Sequence, residues 1–446
     1  MVDSTVLVTE MTLDKRTHDR TFVRTFFTTP TAEKGVEDSA KKLRSAIELR
    51  GMQAPDVWVP DNEDATAPNM RDEGAENIAE VVAESGADFP GEIHPRVVWH
   101  RDSPETRYQG FQHMLEIADP ENGAIEHIDG FVIPEVGDID DWKKADEFIT
   151  IVENEYGLEE GSIAMSVIIE SGSAELAMGK LREEMGKADN NLERLFLLVD
   201  GEVDYTKDMR AITPTGGLPE WKELRHNTSR AASAAGLISV DGPYDDIRDV
   251  EGYHDRITAN NAMGMLGIWS LTPGQVVEAN KSPLPPATGY WLIDADGREV
   301  ELESEDGVEV YSGDRIELEE EDGGYELEVG STEIFCESEE ELADELLDLV
   351  DYVPSMDDIV DSMEEFEAAK EAGKGAIAMT RAATIEIDGV QVDVSSDRMW
   401  DEATYQALMT PVKLFQDVYE NRPDQHDDLA DLYSEDVVER AIEVGN

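Results

Sequence analysis

The chain has a single cysteine, Cys336, so it can form no internal disulfide and holds no thiolate metal cluster. Basic residues are scarce, 36 against 103 acidic ones, and the formal charge of -67 repels nucleic acid and anionic membrane surfaces at long range. No apolar run reaches membrane-spanning length, and the first residues carry acids where a secretory leader is basic; a cytoplasmic protein without a membrane partner is expected. The 8 histidines fall in no H-E-x-x-H or comparable ligand spacing, which leaves His94, His100 and His113 as packing or hydrogen-bonding residues. No Ser-His-Asp arrangement can be read. The glycine-rich stretch 264–267 ends a strand without opening a G-x-G-x-x-G turn and helix, which argues against nicotinamide chemistry.

What is present is order. Apolar residues make up 40% of the chain and recur in blocks, so the acidity reads as a solvated shell over a normal core rather than as disorder. Self-repulsion at this charge calls for screening, and at molar salt the Debye length falls to roughly 3 Å, so folding is expected to depend on salt. A chain of 446 residues has room for one barrel-sized domain and one or two smaller ones.

Short β-branched or aromatic runs at 21–27, 56–60, 96–100, 130–134, 163–170, 195–199, 236–240 and 265–269 alternate with amphipathic stretches, among them 37–49, 140–156, 174–185 and 247–262. Most of the runs are continuously apolar, as strands covered on both faces must be. The expectation is an α/β protein, a (β/α)8 TIM barrel over residues 21–285 behind an extension of residues 1–20. From 286 to 337 apolar and acidic residues alternate around Asp296-Gly297, Asp306-Gly307 and Asp322-Gly323, which predicts a small antiparallel β insert. Good helix formers at 339–350, 356–372, 402–420 and 428–444 predict a helical C-terminal segment over 338–446.

In such a barrel the reacting groups sit where strands end. Those ends are rich in acids: Glu63 and Asp64, Glu135, Glu170, Asp200 and Asp204, and Asp241, with Arg96 opening the third run. Glu170 and Asp204 lie one strand-helix-strand step apart, which sets two carboxylates side by side, a donor set suited to Mg²⁺. The competing reading is that these acids belong to the solvated shell, and that Arg96 is a surface ion pair.

The segments RTFFTTP (24–30), VPDNEDATAPNMRDEGAENI (59–78) and GMLGIWSLTPGQV (264–276) resemble the opening strand, the L-E-D-A-V-x-P block and the eighth-strand segment of the citrate lyase beta-subunit superfamily. In the last, Leu271-Thr272-Pro273-Gly274-Gln275 replaces the usual Ile-His-Pro-x-Gln. The runs MQAPDVWVPDNEDATAP, HPRVVWHRDSPETRYQGFQHML, LFLLVDGEVDYTKDMRA and YVPSMDDIVDSMEEFEAAKEAGKGAIAM resemble the haloarchaeal, H-type malate synthase family over nearly the whole chain.

That resemblance implies Mg²⁺-dependent condensation of acetyl-CoA with glyoxylate, then thioester hydrolysis to malate and CoA, a glyoxylate-cycle reaction. It implies Glu170 and Asp204 as metal ligands and Arg96 as the group that polarises the glyoxylate carbonyl. Asp401, in DRMWDEATY, matches the family's catalytic base, with a helix cap as its alternative and Asp397 as a competitor for either role. Thr28 and Thr29 match acetyl-CoA contacts, Arg248 is a candidate phosphate contact, and Leu271 and Pro273 would line the substrate pocket. The family also implies a homo-oligomer, a trimer or hexamer. The rivals are a malyl-CoA lyase-type enzyme that stops at the thioester, and a CoA-binding barrel without catalysis.

Overall fold

The computed structural model describes residues 22–187, 192–212, 221–295, 298–303, 316–321, 323–329, 332–387 and 390–445. The expected extension over 1–20 lies outside them. By chain contacts the protein forms two compact units, one running to Pro283 and including Arg422–Gln425, the other covering Leu284–Asn421 and His426–Asn446. Among the described residues no helix is long and apolar enough to cross a membrane.

The first unit is built on eight parallel strands: β1 (Thr25–Pro30), β2 (Val57–Asp61), β3 (Glu92–Ile93), β4 (Gly130–Ile133), β5 (Ala164–Ile169), β6 (Leu195–Asp200), β7 (Ile238–Pro243) and β8 (Gly267–Ser270). They run in the order β3-β2-β1-β8-β7-β6-β5-β4. The remaining gap, between β3 and β4, is crossed by Arg96, which makes parallel bridges to Asp61 on one side and Val132 on the other. Its N–H donates to Pro60 O at 2.9 Å and its carbonyl accepts from Asn62 N at 3.0 Å. The barrel is nearly closed, and Arg96 sits on its seam.

The third strand was expected at 96–100 and lies earlier. Pro95 has no N–H to give, so the bonds to β4 are interrupted there, while those to β2 run on through His94 N to Trp58 O and Arg96 N to Pro60 O, and Arg96 makes its bridges singly.

Around the strands lie α1 (Lys41–Ile47), α2 (Arg71–Ser85), α3 (Pro104–Ala118), α4 (Ile139–Tyr156), α5 (Gly172–Met178), α6 (Leu181–Met185), α7 (Glu202–Asp208), α8 (Lys222–Ala235), α9 (Val250–Ala262) and α10 (Pro273–Lys281). Their starts are marked locally: Ser103, Asp138, Ser171, Asp249 and Thr272 each accept a backbone N–H in the first turn of the helix they precede. The strands are apolar on both faces because both are buried. One face packs inside the barrel through Phe26, Val59, Ile168, Val199, Val240 and Trp269, and the other meets the helices through residues such as Trp58, Phe131 and Leu198.

The N-terminal end of the barrel is closed by ion pairs. Asp56 takes Arg24 through Nε–Oδ2 and Nη2–Oδ1 contacts of 2.9 and 2.8 Å, and Arg422 through Nη1–Oδ1 at 2.7 Å. Asp424 holds Arg422 Nε at 3.0 Å, and Arg24 Nη2 donates to Gln425 Oε1 at 3.2 Å. These contacts explain why four residues near the C-terminus belong to the first unit.

The second unit contains β9 (Tyr290–Ala295), β10 (Arg298–Glu303), β11 (Ile316–Glu321), β12 (Gly324–Val329) and β13 (Thr332–Cys336), then α11 (Glu339–Leu349) and β14 (Val350–Val353). It continues with α12 (Met356–Glu371), β15 (Ala376–Ile387), β16 (Val390–Asp401), α13 (Glu402–Asn421), α14 (His426–Leu432) and α15 (Glu435–Gly445). The antiparallel β insert is present, and Cys336 is buried at its end. The segment 338–446 departs from the helical expectation in two places. β14 joins the insert by pairing antiparallel with β9, and β15 and β16 form a long hairpin in register from Ala376↔Asp401 to Ile387↔Val390. The β-branched alternation in IAMTRAATIEI and VQVDV outweighs the acidic helix formers around it.

Candidate active site

Glu170 follows β5 directly and its side chain is buried. Glu135 follows β4 in the left-handed region, at φ 48°, an uncommon conformation for a residue with a Cβ. That twist turns its N–H onto Glu170, which accepts it through Oε2 at 2.9 Å. Asp204 comes from the first turn of α7, one strand over. One carboxylate oxygen from each of Glu135, Glu170 and Asp204 lies within 4.8 Å of the others. The fit is tight, since a Cβ on Gly201, just before α7, would come 2.2 Å from Glu170 Cγ.

Positive charge around the cluster is partial. Lys207 Nζ lies 2.6 Å from Asp204 Oδ1 and 3.6 Å from Glu135 Oε1, but its side chain is mostly exposed. Arg101 holds Glu135 at 3.0 Å and Asp208 at 2.7 Å. Burial pushes the Glu170 carboxyl well above the usual carboxylate range; Arg96 and the Glu135 N–H oppose that shift, and Asp204 and Glu135 add to it. A buried acid with two acids beside it is completed by a cation, and three oxygen donors without sulfur or imidazole suit a hard divalent one. The residues therefore fit Mg²⁺.

Arg96 is buried with its guanidinium held by Asp61 through a fork, Nε–Oδ1 at 2.7 Å and Nη2–Oδ2 at 2.5 Å. Glu63 lies 3.3 Å from Nη1, Asp64 3.7 Å from Nη2, and the Trp269 ring 5.2 Å from the guanidinium carbon. The Arg96 pKa is raised: burial opposes its charge, but Asp61, Glu63 and Asp64 together outweigh burial. Glu63 is pushed up to about 8, by burial first, against Arg96 and with Asp64 and Asp61 adding to the rise. The surface ion-pair reading of Arg96 is thereby excluded.

Residues 41–272 match the model of the HpcH/HpaI aldolase/citrate lyase family, and residues 291–406 match that of the malate synthase H C-terminal domain. The malate synthase of Haloferax volcanii is 76% identical over 433 residues, covering 97% of this chain and 100% of that protein. The chain belongs to the H-type malate synthase family. Solved structures of the Haloferax volcanii enzyme in a pyruvate/acetyl-CoA ternary complex and in a magnesium/glyoxylate complex match with TM-scores of 0.62 and 0.61, at 70% and 65% identity. Each covers 96% of this chain and all of the other.

The other expected site residues fall into three places. Thr28 and Thr29 are buried on β1, where their hydroxyls accept the indole N–H groups of Trp269 and Trp58, each at 2.9 Å. Leu271 packs half-buried against the inner barrel core, and Pro273 is exposed at the first position of α10, after the cap Thr272. Arg248 is exposed just before α9. Asp401 lies in the second unit, at the end of β16, where Oδ1 accepts the N–H groups of Ala403 and Thr404 at 3.0 Å each. Those bonds, Thr404's first, hold its carboxyl below the usual range. The capping geometry anticipated for it is therefore present. Asp397 pairs in register with Thr380 on the hairpin.

Two residues of the site went unassigned in the sequence. Glu135 was one rim acid among many, and its proximity to Glu170 depends on a backbone twist that no residue type signals. Asp61 ends a strand inside the quoted V-P-D-N-E-D block, and only the pairing of β2 with the seam brings it to Arg96.

Proposed function

We propose that the chain condenses the acetyl group of acetyl-CoA with glyoxylate and hydrolyses the resulting thioester, releasing malate and CoA, with Mg²⁺ as cofactor. The observation that carries this reading is the convergence of Glu135, Glu170 and Asp204 beside a buried, forked arginine at the loop end of the barrel. Glu170 and Asp204 would hold Mg²⁺, which would supply Lewis-acid polarisation of the aldehyde.

The protein's own groups do the rest. Arg96, locked by Asp61, offers its Nη1 N–H groups, which lie 3.3 Å from Glu63 in this structure, to the glyoxylate oxygen on which negative charge develops, and the fork to Asp61 limits the reorganisation needed during reaction. Asp401 removes the methyl proton of acetyl-CoA as the general base. Thr28, Thr29 and Arg248 serve acetyl-CoA, the arginine through a phosphate, while Leu271 and Pro273 border the pocket. The glyoxylate cycle is the setting.

The enzyme works in the cytoplasm as a homo-oligomer, a trimer or hexamer. The acidic shell and the single buried thiol support the compartment. Leu176, Val203, Met209 and Ile212, exposed apolar residues on or next to α5 and α7, support self-association. Light scattering in molar KCl reads the subunit number.

The deciding assay measures thiol release from acetyl-CoA, glyoxylate and Mg²⁺ in molar KCl, for the unaltered chain and Asp401→Asn. Free CoA and malate, lost in the variant, support the synthase and its base. Malyl-CoA without free thiol supports the lyase, and no turnover at any salt supports a binding barrel.

A further inference from the structure

Beside the carboxylate cluster lies a second network that the reaction described above does not use. Arg256, on α9, grips Asp241 at the end of β7 through Nε–Oδ2 at 2.5 Å and Nη2–Oδ1 at 2.8 Å. The same Nη2 lies 2.9 Å from Oε2 of Glu202, the first residue of α7. Arg225, on α8, approaches Glu202 Oε1 with its Nε at 3.6 Å. Asn260 Nδ2 donates to Asp241 Oδ2 at 2.7 Å, and the Gly242 N–H to Asp241 Oδ1 at 2.7 Å. Asp241 and Glu202 are buried, and Arg256 is nearly so.

The geometry ties one strand end to the turn that delivers Asp204. Glu202 is two residues before Asp204, and Gly201, immediately before Glu202, is pressed against Glu170. Gly201 N donates to Ile169 O at 3.1 Å, which fixes the turn to the end of β5. On its other side, a Cβ on Gly242 would come 2.9 Å from Asp200 O and 3.4 Å from Glu202 Cγ, so the ends of β6 and β7 are in close contact as well. The turn is held from both flanks, by backbone toward β5 and by Arg256 toward β7.

We infer that Arg256 is a positioning residue which, through Glu202 and Asp241, sets the distance of the Asp204 carboxylate from Glu170 and so the affinity of the site for its divalent ion. The inference rests on the metal-site reading above. Groups that orient metal ligands from behind commonly govern affinity about 10- to 100-fold.

The test measures Mn²⁺ as the probe, by the loss of its free-ion electron paramagnetic resonance signal, on the full chain in molar KCl. Arg256→Met is expected to weaken Mn²⁺ binding about 10-fold or more, and Arg256→Lys to recover part of that loss. Arg194→Met is the control for general destabilisation, since Arg194 is a buried arginine, paired with Glu153 at 2.7 Å and Asp146 at 3.2 Å just before β6. It is expected to lower the melting temperature and leave Mn²⁺ affinity unchanged. Should Arg256→Met fail to fold, Glu202→Gln, which keeps the side-chain volume, replaces it with the same expectation. Unaltered Mn²⁺ affinity in the folded Arg256 or Glu202 variant overturns the inference alone, as does equal weakening by Arg194→Met. If the unaltered chain binds no Mn²⁺, the metal-site reading falls and this inference with it.

Discussion

The two ends of the barrel are both sealed by buried arginines, and they are balanced differently. At the N-terminal end Arg24 and Arg422 face Asp56 and Asp424, two charges of each sign, and spare N–H groups go to the carbonyls of Asn280 and Ala54. At the loop end Arg96 faces Asp61, Glu63 and Asp64, with Glu170, Asp204 and Glu135 nearby, and against these six acids the described residues set Arg96 itself, Arg71 at 4.0 Å from Glu63, Arg101 and Lys207. One end is neutral and satisfied, the other carries a surplus of acid. Burying charge is tolerated where it is paired, and a surplus marks a place where a ligand completes the pairing.

The comparison can be broken by exchanging what each arginine does. Arg96→Lys keeps the charge but loses the fork to Asp61, and kcat is expected to fall about 100- to 1,000-fold, the loss typical of one donor to a developing oxyanion. Steady-state kinetics in molar KCl reads this, and a kcat near that of the unaltered chain would remove Arg96 from the chemistry. Arg422→Met should do the opposite, destabilising the fold by about 3 kcal/mol in denaturant titration while kcat of the folded fraction stays unchanged.

Two further measurements sharpen it. Mg²⁺ at about 100 times its dissociation constant should stabilise the unaltered chain by about 2.7 kcal/mol, and Glu170→Gln should abolish the gain; thermal melts with Mg²⁺ and with chelator compare them. The last measurement concerns Glu63, whose folded pKa of about 8 lies above its ordinary 4.5. A raised acid stabilises the fold fully below pH 4.5, and that contribution is lost as pH rises to about 8, at no more than about 1.4 kcal/mol per pH unit for one proton. Glu63→Gln should flatten the decline in melting temperature across that window, and an unchanged slope would assign it to other groups.

Much of this was legible in the residues because the barrel repeats one rule. Strands wrapped on both faces are apolar throughout, and each ends where the acids begin, so Glu170 and Asp204 can be paired by spacing against the reading of a solvated shell, while the role of Arg96 came only with the family likeness. What escaped depends on backbone geometry. The seam role of Arg96 follows from Pro95 interrupting a ladder, and the approach of Glu135 follows from a positive φ. The hairpin of β15 and β16 was masked because acidic residues good for helices are also the solvated residues of this chain, so composition carried little local information there. Asp401 was seen both as base and as cap, and the cap is the role its observed contacts describe.

The return of Arg422 to Asp56 also sets a timetable for the newborn chain. Arg24 and Gln425, joined by a hydrogen bond, are 401 positions apart. At a synthesis rate of about 5 to 20 residues per second, the first strand waits on the order of 20 to 80 s for the residues that close its end of the barrel. Through that interval Asp56 has Arg24 but not its second arginine, and the barrel floor stays open to the salt of its surroundings. A chain interrupted before Arg422 holds the residues of all eight strands and lacks the arginine and glutamine that pair with Asp56 and Arg24 at their N-terminal end.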